Sequence, residues 1–287
     1  MTLRPRRSVL YMPASNQKAI DKARTLNCDA VILDLEDAVA PDAKDMAREQ
    51  AVAAVRAGGF GRREVIIRVN GLETPWGEAD LAAAAAAGPD AVLVPKINGA
   101  GDVARYDARL GHAPAHTRLW AMIETGRVLF HLEDAAAAAS TSRMTAWVMG
   151  TNDLVKETGA RLTTRREALW APLSFSVAAA RAHGLAILDG VFNGLDDPEG
   201  FEAQCLQGLE FGFDGKTLIH PNQVDIANRV FAPTADEVAF AKAVIEAFDR
   251  PDNADKGAIR VDGKMAERLH LVQAEKVVAV AEAIAAA

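Results

Sequence analysis

Seven short apolar runs in this chain each end at or just before a residue able to do chemistry. They are Ala30–Leu35 before Glu36-Asp37, Val65–Ile67 before Arg68, Ala91–Pro95 before Lys96, and Leu119–Ile123 before Glu124. The series continues with Ala146–Met149 before Asn152-Asp153, Leu185–Leu188 before Asp189, and Thr217–Ile219 before His220. Runs this short cannot be helices and suit strands buried on both faces. Ser8–Met12 supplies an eighth. Helical segments alternate with them at Gln17–Leu26, Asp42–Ala57, Trp76–Ala87, Ala100–Leu110, Gly126–Ser140, Arg165–His183 and Asp197–Phe211. The alternation predicts a parallel sheet. Eight such units fit an α/β fold of the (β/α)₈ barrel type, whose catalytic rim lies at the strand C-termini. A doubly wound sheet is the competing architecture. It normally carries a glycine-rich phosphate loop after its first strand, and Pro13-Ala14-Ser15-Asn16 is not one.

Past Pro221 the rhythm changes. Ala235–Phe248 reads as an amphipathic helix, Ala258–Val261 with Asp262-Gly263 as a hairpin, and Glu267–Ala287 as a final helix. The expected organisation is a barrel over residues 1–232 and a C-terminal extension over 233–287. That extension would act as a lid on its own barrel or on a neighbouring subunit.

At 287 residues and 50% hydrophobic, the chain can bury a large core. A net charge of −7 with no basic block excludes a nucleic-acid surface. Arg4, Arg6 and Arg7 precede only Val9–Pro13, too short for a secretory segment, and no run is long enough to span a membrane. Cys28 and Cys205 lack metal or redox spacing and suggest reduced thiols in the cytoplasm.

Among the strand-end residues, Glu124 and Asp153 are the strongest pair. Two carboxylates on successive strand ends could hold Mg²⁺ (Mn²⁺ being the alternative ion), with water or substrate completing the coordination. They could instead N-cap the helices that follow. Arg68 suits a substrate carboxylate or a developing oxyanion, or else a salt bridge to a rim acid. Glu36 and Asp37 would support the metal through its waters. An uncompensated cluster of four acids repels itself, which favours a cation at the mouth. Lys96 could form a Schiff base only with a strongly depressed pKa, and the surrounding acids oppose that. His220 could be a base, a substrate contact or a structural group. Asp189-Gly190 reads as a strand-end turn before it reads as a catalyst.

The stretches Arg7–Pro13, Leu33–Val39, Arg68–Gly71, Pro95-Lys96, Ile123–Thr125, Gly150–Leu154, Phe213–Lys216 and His220-Pro221 match a known pattern in order along nearly the whole chain. Together they resemble the citrate lyase β-subunit-like family of the HpcH/HpaI aldolase superfamily. The resemblance implies a (β/α)₈ barrel forming a homo-oligomer, a trimer or hexamer, whose C-terminal extension covers a neighbour's site. It implies Mg²⁺ on Glu124 and Asp153, chelating a malyl- or citramalyl-type CoA thioester, with Arg68 polarising the thioester carbonyl. Tyr11, Asn16 and Lys22 are the implied CoA contacts, and His220 lines the substrate side of the rim.

Lyases of this pattern carry a proton-transferring Asp on the extension. The matching residue here is Glu267, one methylene longer, with Asp262 as a nearby substitute. Displacement by about an ångström can cost roughly 10²-fold in rate. The expectation is therefore thioester hydrolysis of (S)-malyl-CoA to malate and CoA. The alternative is reversible Claisen cleavage to acetyl- or propionyl-CoA and glyoxylate or pyruvate. A citrate lyase subunit is disfavoured by the extension, and a non-catalytic scaffold by the concentration of charge at the strand ends.

Overall fold

The computed structural model describes residues 4–253 and 255–286. Two compact units divide the chain, with Arg6–Asn228 in one and the N-terminal residues through Pro5 together with those from Arg229 onward in the other. This places the division four residues before the expected 232/233 boundary.

In the larger unit, strands β1 (Ser8–Pro13), β2 (Ala30–Asp34), β3 (Glu64–Arg68) and β4 (Ala91–Val94) pair in parallel. They continue through β5 (Arg118–Ile123), β6 (Met144–Met149), β7 (Ala186–Asp189) and β8 (Gly215–Leu218), and β8 pairs back onto β1 to close the barrel. Between them run helices α1 (Gln17–Ala23), α2 (Lys44–Ala57), α3 (Gly77–Ala87), α4 (Ala100–Arg109) and α5 (Leu132–Ala137). Then come α6 (Thr151–Thr158), α7 (Trp170–Ala182), α8 (Pro198–Phe211) and α9 (Val224–Val230).

Where one long helix is expected over Gly126–Ser140, the structure has a 3₁₀ turn, the short α5, and a second 3₁₀ turn over Ala138–Thr141. Ser140 and Ser142 hydroxyls donate to the carbonyls of Ala137 and Ala138, which offers the backbone an alternative to α-helical bonding there.

Side chains alternate across each strand. One set, Val9, Ala30, Ile32, Ile66, Ala91, Leu93, Trp120, Met122, Ala146, Val148 and Leu188, forms a buried cluster inside the barrel. Two residues further along their strands, that inward row becomes Tyr11, Asp34, Arg68, Glu124, Gly150 and Gly190. The apolar filling thus gives way to charge at the C-terminal mouth, where barrels place their sites.

The second unit contains α10 (Ala235–Asp249), a hairpin of β9 (Ala258–Val261) and β10 (Lys264–Glu267), and α11 (Arg268–Ala285). Thr234 and Glu237 form a capping box that starts α10. Asp262 and Gly263, at φ 45° and 81°, make the turn for which Asp-Gly is suited. Ala241, Val244, Phe248, Val261, Ala266 and Ala274 form this unit's own core. No helix among the described residues is long and apolar enough to cross a membrane.

Candidate active site

Asp34 and Arg68 are adjacent in the β2–β3 register, both at the ends of their strands and both facing inward. The guanidinium meets the carboxylate edge-on, Nε donating to Oδ1 and Nη2 to Oδ2, each at 2.6 Å. Asp34 also accepts the backbone N–H groups of Glu36 and Ala38. Arg68 Nη1 lies 2.9 Å from Glu36 Oε2, and the guanidinium stacks 4.9 Å over the Tyr11 ring. Burial alone would lower the Arg68 pKa. Asp34 overrides it, so the group is held charged well above its usual range.

Glu36 passes the network on. Its Oε1 accepts from Lys96 Nζ at 2.9 Å. Lys96 adopts left-handed backbone at φ 52°, uncommon for a residue with a side chain, and its own N–H donates to Glu124 Oε1 at 2.8 Å. Burial works against the lysine's charge, but Glu36 outweighs it and raises the pKa. That opposes a Schiff base. A continuous chain of contacts therefore runs Asp34–Arg68–Glu36–Lys96–Glu124 across the mouth.

The chain rests on buried scaffolding. Lys44, at the start of α2, donates to the carbonyls of Leu35 and Glu36 and to Asn70 Oδ1. Asn70 in turn donates to Asp80, which Arg48 holds from the other side. Gly150 is required beneath Glu124, because a Cβ there would overlap the glutamate side chain.

Glu124 is almost fully buried, and its pKa is raised to about 8. Burial is the main cause, and the charges of Glu36 and Asp153 add to it against the pull of Arg68. The N-cap positions of the turn and helix that follow are Arg127 and Gly150, so neither Glu124 nor Asp153 occupies a cap position. Asp153 stands half-buried in the first turn of α6. No group of three or more His, Cys, Asp or Glu among the described residues converges in a metal-holding cluster. Two carboxylate oxygens are a donor set of the kind that fits Mg²⁺, which keeps water or substrate oxygens in its other positions.

The remaining expected residues fall into groups. Asp37 is exposed, 3.5 Å from Arg68 Nη1. Tyr11 lies inside the barrel beneath Arg68, its hydroxyl 3.6 Å from Met122 Sδ. Asn16 N-caps α1 by accepting from Ala19 N–H, and Lys22 is exposed in that helix's last turn. His220 is exposed, its Nδ1 accepting from Asn222 N–H. Glu267 and Asp262 belong to the second unit. There Glu267 stands at the N-cap of α11, its backbone N–H donating to His270 Nδ1 at 2.9 Å, and Asp262 forms the hairpin turn.

Asp189 is not at the mouth. It pairs in register with Lys216 on the outer side of the barrel wall, fully buried between Lys216 and Arg166 at 2.7 Å each. Burial would raise its pKa, but the two cations hold it below the usual range.

Sequence reading missed Asp34, Lys44 and Arg166. Asp34 sits inside the apolar run Ala30–Leu35. The available signal was its period-two alignment with Ile32 on the inward face.

The profile of the HpcH/HpaI aldolase/citrate lyase family matches residues 7–221. A (3S)-malyl-CoA thioesterase of Cereibacter sphaeroides (strain KD131) is 48% identical over 282 residues, covering 98% of this chain and 96% of that protein. An L-malyl-CoA/beta-methylmalyl-CoA lyase of C. sphaeroides (strain ATCC 17029) is 33% identical over 310 residues, covering 99% and 96%. Among solved structures, CitE from Mycobacterium tuberculosis in complex with magnesium, acetoacetate and coenzyme A superposes with a TM-score of 0.77. It is 27% identical, over 98% of this chain and all of that one.

Proposed function

The chain belongs to the HpcH/HpaI aldolase/citrate lyase family, and from that membership we propose that it hydrolyses (3S)-malyl-CoA to malate and free CoA. The observation that carries this reading is the 48% identity with a (3S)-malyl-CoA thioesterase over nearly the whole of both chains, against 33% with a malyl-CoA lyase. Glu267, in place of the aspartate that lyases of this pattern carry, points the same way.

In the proposed site, Glu124 and Asp153 would hold Mg²⁺, which when bound would supply a Lewis acid to the malyl group. Arg68, its orientation set by Asp34 and Glu36, offers its remaining N–H groups to the thioester carbonyl as negative charge develops there. Water oxygen bonds to the carbonyl carbon, the carbon–sulfur bond breaks, and the sulfur leaves as the CoA thiol with a proton from that water. Glu267 is the proposed proton-transfer group, with Asp262 the substitute. Tyr11, Asn16, Lys22 and His220 are the proposed substrate contacts. The proposed setting is a cytoplasmic homo-oligomer, a trimer or hexamer.

The second reading, Claisen cleavage, is favoured by the same Arg68 geometry, since an enolate also needs fixed donors. Product identification separates the two. Purified protein with Mg²⁺ and (3S)-malyl-CoA is expected to yield malate and free CoA in equal amounts. Glyoxylate with acetyl-CoA would overturn the hydrolase reading.

A further inference from the structure

Asp153 is borne on a rim segment, Thr151 to Leu169, that joins β6 to α7. Most side chains between Gly159 and Arg165 are exposed, yet the next, Arg166, is among the most deeply buried in the molecule at 1% exposure. Its backbone is left-handed at φ 54°, a conformation that residues with a Cβ rarely adopt. Strained backbone of this kind persists where surrounding contacts over-determine it. Here the contacts are explicit. Arg166 Nη1 donates to Asp189 Oδ1 at 2.7 Å, Nε donates to Gln207 Oε1 at 2.9 Å, and the Gln207 amide returns a bond to the Arg165 carbonyl.

The other end of the segment is tied to the same place. Asp189 Oδ1 also accepts the Gly190 N–H, so the carboxylate that receives Arg166 fixes the residue after it. Gly190 lies against Thr151: a Cβ there would stand 2.5 Å from Thr151 Oγ1 and 2.8 Å from the Met149 carbonyl oxygen. Asn152, immediately before Asp153, exchanges two side-chain amide hydrogen bonds with Asn193 in the segment after β7. Lys216 holds the second Asp189 oxygen at 2.7 Å, completing the fixture from β8. Both ends of the Asp153-bearing segment are thus anchored on Asp189-Gly190 and the chain that follows.

We infer that Arg166 is a positioning residue for the cation site: bound to Asp189, it closes the β6 segment into a rigid loop and so fixes the Asp153 carboxylate. The inference rests on the proposed metal reading of Asp153. Contacts behind metal ligands of this kind are worth about 10- to 100-fold in metal affinity.

The test is Mn²⁺ binding to the full-length metal-free protein, followed by the paramagnetic signal of the free ion, alongside kcat and KM at saturating Mg²⁺. Arg166→Gly removes the anchor while tolerating the backbone angle. It is expected to weaken Mn²⁺ binding about tenfold, with Arg166→Lys recovering part of the loss through its single bond to Asp189. At saturating Mg²⁺, kcat is expected to fall less than the Mn²⁺ affinity does. A lowered thermal midpoint with unchanged Mn²⁺ affinity would overturn the inference and leave Arg166 merely structural. Should Arg166→Gly not fold, Gln207→Met removes one strut from an α8 side chain. A two- to threefold weakening then supports the inference, and no change overturns it. Asp153→Ala separates the premise. Wild-type Mn²⁺ affinity in that variant would refute the metal reading itself, whereas lost binding there with unchanged affinity in Arg166→Gly refutes only the role of Arg166.

Discussion

Glu124→Gln is expected to lower kcat/KM for (3S)-malyl-CoA by about 10³-fold or more, while making the metal-free protein more stable above pH 8. The two effects have one cause. The carboxylate is buried among other acids, and its proton is held to about pH 8 instead of the usual 4.5. An acid whose folded-state pKa is raised destabilises the fold at high pH. Below about 4.5 both states are protonated and nothing is lost. Between 4.5 and 8 the unfolded chain has released its proton and the folded one has not, so stability falls as pH rises. Above 8 the loss is complete. Glutamine keeps the shape and can still accept the Lys96 N–H, but it never ionises. The thermal midpoints of wild type and variant in EDTA should therefore separate between pH 5 and 8 and stay apart at pH 9. A cation bound only by the wild type would narrow that gap, because it stabilises the ionised form. Full Mg²⁺-supported activity in Glu124→Gln would remove this residue from the site. A midpoint difference that does not change with pH would show that the carboxyl is not desolvated.

The barrel was legible in the sequence because a strand buried on both faces has to be apolar at every position, which leaves short runs that helices do not make. The same logic exposed Arg68, Glu124 and Lys96, since a charge that ends such a run has to lie at an opening. What stayed hidden depends on register and not on local pattern. Asp34 looks like an interruption in Ala30–Leu35 until β2 is set against β3, when it falls beside Arg68. Glu36 and Asp37 read as equals in sequence. In the structure Glu36 is buried between Arg68 and Lys96, while Asp37 faces solvent. Arg166 belongs to a polar, aperiodic stretch whose composition carries no sign of burial, and its partner Asp189 is 23 residues away. Asp189 lies on the outer wall, and the ion cluster around it could not be read from spacing. The helix expected after Asp153 begins at Thr151, so Asp153 lies inside its first turn and not before it.

Arg68→Lys is expected to lower kcat for thioester turnover by about 10²- to 10³-fold with a smaller change in KM. Lysine preserves the charge, so the loss measures geometry. The guanidinium makes two parallel bonds to Asp34 and a third contact with Glu36, and these fix its plane over Tyr11 before substrate arrives. Donors held in place before charge develops need no reorganisation as it forms, which is why their removal is felt in kcat. An ammonium can satisfy one Asp34 oxygen but presents no second edge to the carbonyl. Asp34→Asn provides the complementary measurement. It retains the shape and one acceptor oxygen while releasing half of the clamp, so the expected loss is about tenfold, well short of that from Arg68→Lys. Guanidine added to an Arg68→Ala variant should restore part of the rate, because the pocket formed by Asp34, Glu36 and Tyr11 remains to receive it. Near-normal kcat in Arg68→Lys would show that charge alone suffices at this position, and the role of the Asp34 clamp in the reaction would then be refuted along with it.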